Sequence, residues 1–221
     1  MDISEAIKER HSVRRYKNKA IRTEIISDLQ DEIKACNNEG GLHIQLVTNE
    51  PKAFDGFMAH YGKFSGIANY IALVGKKDAD LDEKCGYYGE RLVLKAQQLR
   101  LNTCWAAMTY KKIPGAFNVD KGEKLTAVIA VGYGENGGVT HKLKEKEEVS
   151  NITANSPEWF KNGVEAALLA PTAMNQQKFY LALDGSNVSA KSKSGFYTKL
   201  DLGIVKYHFE LGAGKENFKW A

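Results

Sequence analysis

The stretch from Tyr87 to Leu101 sets the scale of whatever this chain folds into. Its spacing predicts the longest helix of the sequence, and Leu92, Leu94, Ala96, Leu99 and Leu101 make much of its circumference apolar. An ordinary surface helix buries one stripe. A helix this apolar needs neighbours on several sides, so it has to be central. With 221 residues the chain is long enough to bury a real core, as one domain or a domain plus an appendage.

The neighbours can be read in order. Asp2 to Glu9 is a short helix with Ile3 and Ile7 on one side. Ile21 to Cys36 is a second, with Thr23 as its cap and a stripe of Ile25, Ile26, Leu29 and Ile33, broken by Asn38-Glu39-Gly40-Gly41. Leu42 to Thr48 alternates like a strand, and Phe54 to His60 is a short helix. Asn69 to Gly75 is a continuous apolar run, which suits a strand in a sheet covered on both faces. Lys76 to Lys84 is a charged surface connection, Asn102 to Met108 a loop or short strand, and Thr126 to Gly132 a further strand. After a break rich in Ser, Asn and Thr at 150–156, Ser156-Pro157-Glu158 opens a helix that runs to about Ala170, with Ser156 as its cap. A strand at Phe179–Leu183, a hairpin partner at Asn187–Lys193 and a last helix from Thr198 to Gly212 complete the chain.

Charge and cysteine usage exclude several functions. The net charge of +4 is not gathered into one stripe, which suits a small anionic ligand and argues against nucleic acid. Cys36, Cys85 and Cys104 are odd in number and lack CxxC spacing, so a disulfide framework or zinc site is not expected and a reducing cytoplasm is. No signal peptide and no apolar run of about 18 residues are present, so no membrane span is expected. Gly132-Tyr133-Gly134-Glu135-Asn136-Gly137 is a formal GxGxxG after a strand, but a charged, aperiodic stretch comes next in place of the apolar helix a dinucleotide site requires. These glycines are expected to make a turn.

The densest chemistry lies in Glu9-Arg10-His11-Ser12-Val13-Arg14-Arg15-Tyr16. Arginine forks match phosphate oxygens with paired, charge-assisted hydrogen bonds, and Ser12 adds a small donor. Taken alone, the stretch fits either an anion clamp or a solvated basic turn.

Four segments then resemble the FMN-dependent nitroreductase family. Arg10-His11-Ser12-Val13-Arg14 looks like its N-terminal arginine-serine motif, and Leu101-Asn102-Thr103-Cys104-Trp105 is similar to the segment after its long helix. Ala127 to Tyr133 looks like its last strand, with Lys142-x-Lys144 where the family has a basic pair. Ala170-Pro171-Thr172-Ala173-Met174-Asn175-Gln176-Gln177 is similar to its Ala-Pro-Ser-x-x-Asn-x-Gln segment. The resemblance implies an α+β, nitroreductase-like FMN fold: a mixed, mainly antiparallel sheet flanked by helices, with a long central helix. It implies that Arg10, His11, Ser12 and Arg14 bind the phosphate, ribityl chain and pyrimidine edge of FMN, that Lys142 and Lys144 complete phosphate binding, and that Ala107 and Met108 approach the flavin N5. Pro171, Thr172, Ala173, Asn175 and Gln177 are implied as further cofactor contacts.

One departure bears on organisation. The family carries the Ala-Pro-Ser segment directly after the clamp's next helix, where this chain has Ala35-Cys36-Asn37-Asn38-Glu39-Gly40-Gly41; here the segment comes after residue 150. In family homodimers it reaches the flavin of the other subunit. The last helix also matches the central one when slid by 110 positions, Tyr87 on Tyr197 and Leu92 on Leu202. The expectation is an intrachain pseudo-dimer: residues 1–150 as a nitroreductase-like half with the clamp, residues 151–221 as a shortened half serving the same flavin. That implies one FMN per chain and a monomer, with a homodimer as the alternative.

The function expected from the resemblance is an NAD(P)H-dependent flavin oxidoreductase with ping-pong transfer to a nitroaromatic, quinone or other small acceptor, and no catalytic side chain beyond those that hold the flavin. The alternatives are an FMN carrier or sensor without turnover, and a small-anion or nucleotide binder using the basic turn alone. Of the remaining residues, His43, His60 and His208 are expected to be structural and Cys104 a buried, inert thiol. Gly86-Tyr87-Tyr88-Gly89-Glu90 fits either a pocket lining or core packing, and Phe64 sits where a lid would be.

Overall fold

The computed structural model describes residues 1–221. In chain order its elements are α1 (Ile3–Glu9), α2 (Thr23–Gly40), β1 (Gln45–Val47), α3 (Phe57–Tyr61), β2 (Tyr70–Lys76), α4 (Leu81–Gln98), β3 (Asn102–Ala106), β4 (Glu123–Gly132), α5 (Lys146–Val149), α6 (Glu158–Leu168), β5 (Phe179–Asp184), β6 (Asn187–Ser192), α7 (Thr198–Ala213) and β7 (Lys219–Trp220). The fold is α+β, as expected. No helix is long and apolar enough to cross a membrane. The chain forms two compact units, each assembled from separated segments. The first comprises Met1, Glu9–Leu81 and Leu92–Thr140; the second comprises Asp2–Lys8, Asp82–Arg91 and His141–Ala221.

The first unit is built on a four-stranded antiparallel sheet in the order β1-β2-β4-β3. β2 and β4 are central and buried on both faces, which is why Asn69–Gly75 lacks alternation. Tyr70, Ala72, Val74, Val128, Ala130, Cys104 and Ala106 share a core with Val13, Tyr16, Phe54, Phe64 and Phe117. Ile71, Leu73, Ile129 and Val131 alternate with them along the strands and are equally buried. The register shifts between Leu73, opposite Ala127, and Val74, opposite Leu125. Thr126 is the extra residue of this bulge, which returns Leu125 to the face of Val128 and Ala130.

The second unit pairs β5 with β6 as an antiparallel hairpin and adds β7 parallel to β6. Its helices pack at van der Waals limits. A Cβ on Gly86 of α4 would lie 2.0 Å from the Leu200 carbonyl oxygen and 3.1 Å from the Ile204 nitrogen, both on α7. A Cβ on Gly203 of α7 would lie 1.9 Å from the Glu83 carbonyl oxygen and 2.7 Å from the Tyr87 nitrogen, both on α4. The two sets are reciprocal: Gly86 corresponds to Gly203, Glu83 to Leu200 and Tyr87 to Ile204, atom for atom. Such reciprocity is the mark of a two-fold contact. The implied offset is seven positions longer than the 110-position match in the sequence.

Several boundaries move from those the sequence implies, for local reasons. α2 continues through Asn38-Glu39-Gly40 and stops at Gly41, whose φ of 62° is left-handed. α4 starts at Leu81, so Gly86 to Glu90 is helix interior and core packing rather than a pocket lining. Glycine there lowers helix propensity, and the close approach of α7 compensates. β4 begins at Glu123, hidden in sequence by its charged first turn of strand. Ser156 is not a cap: Pro157 holds that position, and the Ser156 hydroxyl accepts from the Thr153 N–H at 2.9 Å. Arg22, not Thr23, caps α2, without a side-chain bond. Phe64 is no lid, being buried edge-on to Phe54 with ring centroids 5.2 Å apart.

The glycine crossing yields a test. Gly86→Ala and Gly203→Ala should each destabilise the protein by about 1–3 kcal/mol in urea unfolding, as overpacking does. Gly137→Ala, with open space around the site and no positive φ, should stay within about 0.5 kcal/mol of the parent.

Candidate functional site

The candidate residues fall into two clusters, one in each unit. In the first unit, residues 12–17 lie extended and are held by backbone bonds to three other segments. The Val13 N–H donates to the Thr103 carbonyl on β3, at 3.0 Å. The Ser65 N–H donates to Arg14 O and the Tyr16 N–H to Ser65 O, both at 3.0 Å. The Lys17 N–H donates to Tyr133 O and the Glu135 N–H to Arg15 O, at 2.8 and 2.9 Å. The buried side chains of Val13 and Tyr16 anchor the same stretch in the sheet core.

The glycines of the formal GxGxxG explain how the segment fits. A Cβ on Gly132 would press on the Tyr16 ring, one on Gly134 on Val13 and Asn102, and one on Gly138 would lie 2.7 Å from the His11 Cβ. Residues 139–144 then run without helix. The glycines therefore form a bed for the clamp, and the turn expected from sequence is what they make.

The side chains sort by depth. Arg10 is buried, His11 and Ser12 are half-buried, and Arg14 is exposed. Arg10, Ser12 and Arg14 lie close enough to Cys104 to act on its thiol. Burial nevertheless dominates and pushes the Cys104 thiol up, with Arg14, Ser12 and Arg10 pulling the other way. Cys104 is thus a protonated, packed thiol beneath the clamp. Burial likewise holds the Tyr16 hydroxyl well above its ordinary range. Guanidinium forks present paired, charge-assisted donors that match phosphate oxygens, so this donor set suits a phosphate better than it suits water. Ala107 is half-buried and Met108 exposed, just past the end of β3.

In the second unit the structure brings Lys142 and Lys144 together with Thr172, Asn175 and Gln177. The buried Gln177 amide accepts from the Lys144 N–H at 3.0 Å and donates to the Lys142 carbonyl at 2.9 Å. Asn175 Nδ2 donates to the same carbonyl at 2.8 Å, and Lys144 Nζ to Gln177 O at 3.2 Å. The Gln177 N–H donates to Thr172 Oγ1 at 3.0 Å. Gln177 and Lys144 therefore spend these groups on the chain itself and shape the segment, while Asn175 and Lys142 stay exposed. Pro171, Thr172 and Ala173 are half-buried. Met174, Asn175 and Gln177 are left-handed, with φ of 52°, 53° and 45°.

Sequence reasoning missed Asp201 and Gln176. Asp201 Oδ1 accepts from the Ala173 N–H at 2.9 Å, and Oδ2 from Gln176 Nε2 at 2.7 Å. The signal was present, since Asp201 is a charge flanked by Leu200 and Leu202 in the first turn of a largely apolar helix. The histidines that attract the eye hold structure together. His208 is fully buried, with Nδ1 on Ala166 O and Nε2 on Glu90, at 3.1 and 2.9 Å. His43 meets Glu123, whose same oxygen accepts from the Asp120 N–H. His60 is exposed on α3. A cleft of about 380 Å³ in the first unit contains none of the candidate residues.

Set beside known proteins, the chain matches the family described as "Putative TM nitroreductase" over residues 2–213. A solved structure from Thermotoga maritima MSB8, described as a "putative nitroreductase", is similar over 98% of this chain and 85% of its own, at 23% identity and a TM-score of 0.68. Another so described, from Desulfovibrio desulfuricans and in complex with FMN, is similar over 71% of this chain and 98% of its own, at 21% identity and a TM-score of 0.53. A third, described as a "Putative NADH dehydrogenase/NAD(P)H nitroreductase" from Parabacteroides distasonis, covers 70% and 98% at 21% identity, with a TM-score of 0.53. No curated protein matches the chain. At these identities the structural likeness shows a shared fold.

Two outcomes check the geometry. Gln177→Ala strands the Lys144 N–H and should cost about 1–3 kcal/mol, with faster hydrogen exchange at Lys144. Cys36, Cys85 and Cys104, all buried and outside any disulfide, should resist a thiol reagent at about pH 8 until the protein is unfolded.

Proposed function

The chain belongs to the family described as "Putative TM nitroreductase", and from that membership we propose that it is an FMN-dependent oxidoreductase. It takes hydride from NAD(P)H and passes it, by ping-pong turnover, to a nitroaromatic, a quinone or another small electron acceptor. The observation that carries the proposal is the donor set of Arg10, Ser12 and Arg14 near Cys104, at the start of a stretch that backbone bonds from Val13 to Lys17 fix in place.

In this reading Arg10 and Arg14 neutralise the FMN phosphate, and Ser12 and His11 hydrogen-bond it and the ribityl chain. Arg10, already desolvated by its burial, gives up little hydration when the phosphate arrives. Bound FMN would supply the redox chemistry itself, at N5. Ala107 and Met108 offer backbone N–H groups toward that side. Thr172 and Asn175 are polar donors for the ring edges, where negative charge is to be stabilised. Lys142 adds positive charge for the phosphate, and Pro171, Ala173, Lys144 and Gln177 fix the segment that presents these groups. The second cluster's assignment to the same flavin rests on the motif resemblance.

One FMN per chain is expected, because only one copy of the arginine-serine motif is present. Two observations support the accompanying pseudo-dimer. The α4–α7 contact is reciprocal within one chain. The relatives matched over 98% of their own length account for only 70–71% of this chain, which leaves a further segment to act as a shortened second half. A monomer is the expected state, and three buried cysteines outside any disulfide support a cytoplasmic location.

The absorbance spectrum of freshly purified protein should show flavin bands near about 370 and 450 nm. Arg10→Ala with Arg14→Ala should release the cofactor, at about 1.5–3 kcal/mol for each charged hydrogen bond lost. Steady NADH or NADPH oxidation with a nitroaromatic or quinone is expected. Bound FMN without turnover would favour a carrier or sensor instead, and a colourless protein that takes up no FMN would overturn the reading. Two flavins per chain, or a tight homodimer whose flavin binding is lost by Asn175→Ala only in trans, would overturn the pseudo-dimer.

A further inference from the structure

We propose that Asp201 is a proton-operated positioning residue: its carboxylate latches the Ala173–Gln177 segment in its left-handed form, and protonation opens the latch. The segment needs such a hold. Met174, Asn175 and Gln177 all sit at φ of 45–53°, a region that side chains with a Cβ occupy only when the surroundings compel it. Three restraints are visible. Thr172 and the Lys142–Lys144 strap fix the far end through Gln177. The Asn175 N–H donates to Thr172 O at 2.9 Å. Asp201, from the first turn of α7, grips the near end with both oxygens, on the Ala173 N–H and on Gln176 Nε2. That Gln176 nitrogen also donates to Phe196 O at 2.8 Å, so the latch gathers the entry to α7, where Tyr197 is left-handed too.

The arrangement fits only the ionised carboxyl. Both oxygens face N–H donors and both accept; a proton on either would set donor against donor. Burial raises the Asp201 carboxyl to about 6, while the Ala173 N–H and the Gln176 amide hold it down. No charged side chain enters this balance; besides the carboxyl itself, the facing groups are the backbone amide and the Gln176 side chain. The folded-state value lies above the ordinary carboxylate value of about 3.9, so folding binds the proton. Global stability from this group therefore rises as pH falls from above 6 toward 4, while the latch weakens across the same window, because opening removes the two N–H donors that hold the carboxyl down and leaves it buried, so that it binds a proton more tightly open than closed. Fold and segment respond in opposite directions, which a purely structural carboxylate would not produce.

The consequence for cofactor binding rests on the flavin reading above; the latch itself does not. Hydrogen exchange of the full-length protein, measured on peptides spanning 171–178 from about pH 5 to pH 8 and corrected for intrinsic rates, reads the latch. Protection of the Ala173 amide should fall by about tenfold or more below pH 6 in the parent, and Asp201→Asn should show the low value at every pH. Thermal unfolding should show Asp201→Asn at least as stable as the parent at pH 7, with the difference shrinking toward pH 5. Parent protection that is flat across this range, or an Asp201→Asn profile like the parent's, overturns the proposal; the parent's profile alone suffices should the variant not fold. FMN affinity measured alongside should weaken below pH 6 in the parent and show no such step in Asp201→Asn. Absence of FMN binding at all pH values would sink the flavin reading and leave the latch intact. FMN affinity that ignores pH while the segment opens would remove the segment from the flavin site.

Discussion

Two main chains meet with no side chain between them where α4 crosses α7, and much of the second unit depends on that contact. Gly86 and Gly203 allow it, and no other residue would. Once the helices are that close, polar side chains near the crossing must find partners at once. Tyr87 donates to Glu210 Oε2 at 2.5 Å, Glu210 also takes Lys215 and the Trp220 indole N–H, and Glu90 takes the buried His208. Burial and the Glu210 carboxylate push the Tyr87 hydroxyl far above its ordinary range, which keeps it a donor throughout the physiological pH range. The aromatic cluster of Phe160, Phe209, Phe218 and Trp220 then caps α7 beside β7.

Much of this was legible in the amino-acid order. The apolar helix and the terminal helix at Thr198 come from hydrophobic periodicity, and the doubly covered strand at Tyr70–Val74 from an unbroken apolar run. The rejection of a dinucleotide turn comes from the charged, aperiodic residues 139–146 behind the glycines. What escaped did so because a local signal had two meanings. Gly86 falls outside the helix expected from Tyr87, since a sequence shows the helix penalty of glycine and not the helix lying against it. Glu123 and Lys124 look like a turn because the exposed end of β4 has no apolar face to display. Asn175 and Gln177 look like ligand donors because their amides could serve a ligand or a neighbouring loop equally well. Gln177 serves the loop, and only its burial and its bonds to Lys142 and Lys144 show that.

The clamp carries the same lesson at a smaller scale. Its arginines were visible at once, but the reason they stay in place was not. Five backbone bonds and three glycines position residues 11–17, and the bed they lie on is the very turn that imitated a nucleotide motif. Cys104, expected to be a buried and inert thiol, is one: burial raises it despite two nearby guanidinium groups. The chain invests its rigidity in main-chain geometry and leaves the Arg14 and Lys142 side chains exposed.

The interleaving of the two units has a consequence for synthesis. Every segment of the first unit has been made once Thr140 is joined, so its antiparallel sheet can close while the rest is still to come. The second unit draws on Asp2–Lys8, on Asp82–Arg91 and on everything from His141 to Trp220, where β7 completes its sheet. During translation, α1 and the glycine-bearing turns of α4 must therefore wait, with apolar faces uncovered, for a helix encoded more than a hundred residues downstream. Slow, long-range closure of this kind exposes a nascent chain to aggregation. These faces stay uncovered longest between the synthesis of Arg91 and that of α7.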